Sequence, residues 1–195
     1  MKKKKNRKLT DEELVRKCLD GDLTAFDKLV KRYERQIYNL IFRIIGDLGE
    51  AKDVTQEVFF RAFKFLKDFN PEFKFYNWIF KIATNLSINY IEREKKFLPL
   101  DSLEKENLSN QISKTKSPEE ALKSKELKEY IQQIILSLPA KYRVVVLLRH
   151  LQDLTYEEIG FATGLPIGTV KTYLFRAKEI LKKELKEVFE KYYEG

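Results

Sequence analysis

What most limits the fold of this chain is how seldom its sequence is interrupted. Seven glycines and five prolines punctuate 195 residues. Between them, apolar residues return at spacings of three and four, the period of an amphipathic helix. The fold class read from this pattern is all-α. Three helix starts carry a capping box, in which a hydroxyl accepts a first-turn N–H and a glutamate three residues on reaches back. They are Thr10 with Glu13, Ser117 with Glu120, and Thr155 with Glu158. Pro118, at a first helical position, strengthens the second, and Asp22 is a further N-cap candidate. The pattern predicts helices near 11–19, 23–45, 50–69, 77–96, 118–136, 140–150, 155–163 and 168–190.

The stretch 99–115, PLDSLEKENLSNQISKT, differs in kind. It is rich in Ser, Asn and charge, and too poor in apolar area to offset the entropy of ordering it. It divides the chain into a basic disordered tail at 1–9, a helical domain at 10–96, a flexible linker at 97–116 and a second helical domain at 117–190. The net charge of +8 says little about either domain, since six uncompensated basic groups lie in residues 1–8. One cysteine (Cys18) and one histidine (His150) leave no internal disulfide and no zinc site. No apolar run approaches the ~20 residues that span a bilayer, and no apolar segment follows the basic start as in a secretory signal. The expectation is a reduced, cytoplasmic protein without metal, cofactor or catalytic residues.

The most diagnostic segment is LTYEEIGFATGLPIGTVKTYLFRAKEIL, residues 154–181. A capped short helix ends at Gly164, where glycine suits a left-handed cap, and a second helix begins near Gly168. Val170, Leu174, Ala177 and Leu181 fall on one face of it and pack inward with Ile159 and Leu165. Thr172, Phe175 and Arg176 then face outward. Residues 166–183 carry five basic groups against one acid. Such a pair is either an ordinary helical hairpin with solvated lysines or a DNA-reading helix-turn-helix. The turn chemistry, local charge and outward Phe175 favour the second, with Lys171, Lys178, Lys182 and Lys183 towards phosphates and Thr172, Phe175 and Arg176 towards base edges.

A second cluster, FKFYNWIFKIATN at 73–85, holds five aromatics in its first eight residues. Phe75 and Trp78 read mainly as core. The loop before them, with Asn85 beyond, reads as a surface on which a base could stack, since aromatics offer a π-face and an amide a base-edge partner. Residues 74–96 hold five basic groups and two acids, which suits a backbone track. On the 50–69 helix, Val54, Val58, Ala62, Phe65 and Phe69 form an expected buried stripe that leaves out Asp53, Gln56 and Glu57; Phe60 and Phe63 suit either rim or core.

The segment GLPIGTVKTYLFRAK resembles region 4 of the extracytoplasmic-function sigma factors of bacterial RNA polymerase. AKDVTQEVFFRAFKFLKDF and FYNWIFKIATNLSINYIEREKK resemble their region 2, so the similarity covers both domains in family order. The resemblance implies a region 2 helical bundle and a region 4 helix-turn-helix joined by the linker. It implies as partners core RNA polymerase, duplex −35 and melted −10 promoter DNA, and an anti-sigma factor. Matched residue by residue, it implies polymerase binding by Asp53, Gln56 and Glu57. It implies −10 contacts at Phe69, Phe73, Lys74, Asn85 and Arg93, and −35 contacts at Gly168, Thr169, Lys171, Thr172, Phe175, Arg176 and Lys178. Thr172-Tyr173 departs from the family's usual Ser-Arg, and Glu92 stands where a basic residue is common. The competing expectation is a helix-turn-helix regulator that acts without polymerase, for which the sequence offers neither a ligand-pocket signature nor a dimer seam.

Overall fold

The computed structural model describes residues 9–97 and 119–193, with side chains over 9–94 and 128–186. The tail 1–8, the linker from 98 on and the Ser117–Pro118 helix start lie outside the described residues. Among the described residues there are eight α-helices: α1 (Asp11–Leu19), α2 (Leu23–Ile45), α3 (Leu48–Lys64), α4 (Phe75–Phe97), α5 (Glu119–Ser137), α6 (Ala140–His150), α7 (Tyr156–Thr163) and α8 (Ile167–Tyr193). A 3-10 turn, Leu66–Asp68, separates α3 from α4.

Local chemistry sets most of the boundaries. Thr10 and Glu13 close a reciprocal capping box on α1, and Asp22 and Asp47 cap α2 and α3 by accepting the N–H groups of Thr24 and Glu50. The α2 helix ends at Gly46 in the left-handed conformation, φ 94°, whose N–H bonds the Phe42 carbonyl. A side chain there would also meet Leu136 of α5, whose Cδ1 lies 3.0 Å from the position a Cβ would take. One helix departs from expectation. The α3 helix stops at Lys64, so Phe65 leaves the buried stripe and is 45% exposed, while Leu66 takes the inward place. Phe60 and Phe63 are exposed as well.

The first half packs α2 against α1, α3 and α4; the second wraps α6 and α7 on α8. Asp11 anchors α1, accepting from both Arg32 and the Tyr33 hydroxyl of α2. The two halves are in contact. The α4 helix lies along α7, and α2 touches α5 and α6, so one buried cluster runs from Leu14 through Ile37, Phe75 and Phe80 to Leu148, Ile159 and Val170. Arg143 of α6 bridges the halves, donating to the Ile44 carbonyl of α2 and to the Leu136 and Leu138 carbonyls. Burial pushes its guanidinium down to about 10.

Candidate nucleic-acid and partner-binding surfaces

The helix-turn-helix forms as its residues require. Thr155 and Glu158 cap α7 reciprocally. Gly164 turns the chain at φ 73°, its N–H bonding the Gly160 carbonyl at 2.8 Å. Gly160 matters for space rather than for φ. A Cβ there would stand 3.0 Å from the Leu165 carbonyl oxygen, so the turn closes tightly on α7 at this glycine. Val170 and Ala177 are fully buried behind α8, while Gly168, Lys171, Thr172, Phe175, Arg176 and Lys178 are exposed and Thr169 half-buried. Phe175 is 66% exposed and stands among the basic residues of this face.

This face is larger than the sequence suggested. Lys171 and Arg149 lie 5.9 and 5.4 Å from the Tyr156 ring centroid, a cation on an aromatic from each of α8 and α6. A cleft of about 940 Å³ runs between α6 and α8, with Val146, Leu174, Leu181 and Leu185 among its apolar lining and Arg149, His150, Lys178 and Lys182 among its basic lining. Arg149, His150 and Tyr156 were missed, although the basic end of VVVLLRH on an apolar helix was a usable signal. Arg176 donates to the Tyr142 hydroxyl at 3.3 Å, which orients the guanidinium.

The five residues expected at melted DNA divide into three settings. Phe69 is buried, its ring 5.9 Å from Phe75 and 5.3 Å from Trp78, so it supports the loop from beneath. Phe73 and Lys74 close the loop that Asn70 shapes, where the Asn70 side chain accepts the Glu72 N–H at 2.9 Å. Both face α7: Phe73 stacks on Phe161 with centroids 4.7 Å apart, and Lys74 Nζ lies 3.2 Å from Glu158. Asn85 and Arg93 open on the opposite side of α4, along its seam with α3. Asn85 lines a groove of about 240 Å³ with Phe65, Trp78, Ile82 and Asn89. Next to it lies a groove of about 430 Å³ that Arg93 lines with Glu57, Arg61, Asn89 and Tyr90. Asn89 and Arg61 border both, and neither was singled out from sequence. Asn89, one turn after Asn85, was legible from spacing alone.

On α3, Asp53 and Gln56 are exposed, and Gln56 turns towards α2 in a small groove with Glu34, Arg35 and Lys52. Glu57 turns the other way, towards α4, and pairs with Arg61 at 2.6 Å. The three side chains therefore straddle the crest of α3, with exposed Phe60 one turn on. Among the described residues no helix is long and apolar enough to cross a membrane, and no His, Cys, Asp and Glu cluster could hold a metal.

Comparison with known proteins matches residues 29–97 to the family model for Sigma-70 region 2 and residues 128–181 to that for Sigma-70, region 4. The chain is 38% identical over 179 residues to the ECF RNA polymerase sigma factor SigW of Bacillus subtilis, covering 89% of this chain and 96% of the relative. It is 35% identical over 178 residues to the ECF RNA polymerase sigma-E factor of Escherichia coli K12, covering 89% and 93%. Two solved structures share the fold. CnrH, in complex with the cytosolic domain of CnrY, aligns at TM-score 0.67 and 21% identity over 91% of this chain and 97% of that one. RpoE of Bartonella quintana, with the anti-sigma factor NepR, aligns at TM-score 0.65 and 19% identity over 83% and 96%.

Proposed function

Since the chain belongs to the extracytoplasmic-function sigma factors of RNA polymerase, we propose that it directs the polymerase to promoters by reading two DNA elements and helping to melt the second. Its units are residues 10–96 and 117–190, with 97–116 as the tether. Asp53, Gln56 and Glu57, with Phe60 beside them, dock on a basic amphipathic helix of the core enzyme. The N-terminal half of α8, from Gly168 to Lys178, enters the major groove of a duplex −35 element. Lys171 and Lys178 take phosphates there, while Thr172, Phe175 and Arg176 lie towards base edges.

The loop at Phe73 and Lys74 and the groove at Asn85 hold the displaced −10 strand, Arg93 holds its backbone, and Phe69 braces the loop. The polymerase supplies the chemistry in the cytoplasm, and this chain supplies position. CnrH and RpoE were each solved with a bound partner; an anti-sigma protein that covers the α3 crest is the regulator we propose here.

The observation that carries the reading is the α8 face, where exposed Lys171, Thr172, Phe175 and Arg176 stand on a helix locked from behind by Val170 and Ala177. Reconstitution tests it: the chain, a cognate core polymerase and fragmented genomic DNA, with transcript 5′ ends sequenced. New starts that share two elements at fixed spacing are the expected result. Specific binding of the chain alone to two-fold symmetric duplex sites, with no new starts, would replace the sigma reading with a polymerase-independent regulator.

A further inference from the structure

The outward face of α8 has an aromatic support along one flank. Tyr142 stands in the first turn of α6, its N–H bonded to the Pro139 carbonyl at 2.9 Å. Its ring is half-buried against Leu138, Val146 and Ala177 and tilts onto Tyr173 of α8, with centroids 4.9 Å apart. Neither tyrosine lines the cleft between α6 and α8. At roughly 100° per residue, Tyr173 and Arg176 stand about 60° apart on α8, on the side opposite Lys171 and Lys178. A packed ring carries its hydroxyl to a fixed point, because tyrosine has only two side-chain torsions. That hydroxyl accepts from Arg176 Nη1 at 3.3 Å, and among the described residues no carboxylate pairs with Arg176. Held by Nη1, the guanidinium keeps Nε and Nη2 side by side for a second partner. Such a parallel pair fits the O6 and N7 acceptors of guanine. At the centre of the same face Thr172 has already given its hydroxyl hydrogen to the Gly168 carbonyl at 2.9 Å.

We propose that Tyr142 and Tyr173 are positioning residues for base choice: together they hold Arg176 so that its Nε–Nη2 edge reads a guanine of the −35 duplex. This rests on the reading of Arg176 as a −35 contact and adds the support and the base. The physical basis is preorganisation. A loose arginine gives up the freedom of a long side chain each time it binds, and one already tethered gives up less. The tether also keeps the guanidinium from swinging to a phosphate, where it would bind every sequence alike. The departure from Ser-Arg at Thr172-Tyr173 then has a physical reading. A ring at 173 supports Tyr142, where an arginine would set a second cation one turn from Arg176.

The test measures base preference position by position. The full chain and a cognate core polymerase transcribe a template library built on one promoter found by the reconstitution, with its upstream element fully randomised. Sequencing the transcripts gives the preference at each position. Arg176→Ala should flatten one position, a guanine on one strand, by about tenfold. Tyr142→Phe keeps the ring and loses the hydroxyl. It should lower the preference at that same position about fivefold and leave the other positions and the thermal melt as in the wild type. Tyr173→Leu should weaken the same position. In the Arg176→Ala background Tyr142→Phe should change nothing further, because the two residues act as one unit.

A Tyr142→Phe profile identical to the wild type, with Arg176→Ala still flattening its position, would overturn the positioning role and leave Arg176 as a contact. Equal loss at every position would overturn it as well, since that is the mark of a helix displaced as a whole. Stronger transcription from all templates would show the phenol drawing Arg176 away from DNA, the reverse of the proposal. No starts at all with the wild-type chain would remove the sigma reading and the proposal together.

Discussion

At the scale of single residues, Glu158 shows how one carboxylate can serve two ends. It closes the cap of α7 and accepts from Lys74 and Asn77 of α4. A carboxyl held below its ordinary pKa in the fold adds stability above that ordinary value and loses it as pH falls through the folded one. The stability of the wild-type chain over Glu158→Gln should therefore be constant near neutrality and shrink between about pH 5 and pH 3; chemical unfolding at several pH values measures it. Arg143 is the opposite case, a cation tied to three carbonyls with no carboxylate among them. Arg143→Met should cost about 2–4 kcal/mol in urea unfolding, because three carbonyls lose their donor. The long-range partners of these two residues were not legible beforehand: Arg143 reads in sequence as one of thirty-eight basic residues. The caps at Thr10, Asp22 and Thr155 were legible, because both partners lie within a turn.

Among elements, the same distinction between local and distant causes holds. The α2 span from Leu23 to Ile45 follows from its apolar period and from Gly46, and the structure reproduces it to the residue. Phe65 was misplaced because the helical stripe was extrapolated past Lys64, where the 3-10 turn changes the phase by which side chains point inward. Two of the three glycines of the helix-turn-helix, Gly160 and Gly164, separate backbone conformation from close approach. Gly164→Ala meets nothing within 4 Å but must adopt a positive φ, costing about 1–2 kcal/mol with the α8 orientation kept. Gly160→Ala gains helix propensity and asks the Leu165 carbonyl, 3.0 Å from the new Cβ, to give by a few tenths of an ångström, so it should leave stability within about 1 kcal/mol of the wild-type chain. Thermal melts should thus show Gly164→Ala clearly destabilised and Gly160→Ala close to the wild-type chain.

For the whole molecule, periodicity within each half disclosed its helices but not their mutual docking, because the residues that meet at the seam are far apart in the chain, Asn77 and Glu158 by 81 positions. Because the buried cluster continues across both halves, calorimetry of the wild-type chain should show one cooperative transition, which Phe161→Ala should split into two. The crest of α3 faces away from that seam, so Asp53→Lys should weaken core polymerase binding at least about tenfold and leave the melt unchanged; equilibrium binding to labelled core checks the first and calorimetry the second. One more property follows from where the rings fall. The chain has a single tryptophan, and Trp78 is half-buried against Phe69 and Phe75 on the wall of the Asn85 groove. Its intrinsic emission reports on that wall alone, so a base entering beside Asn85 would quench the only indole in the molecule, and strand capture could be timed by stopped flow without a dye.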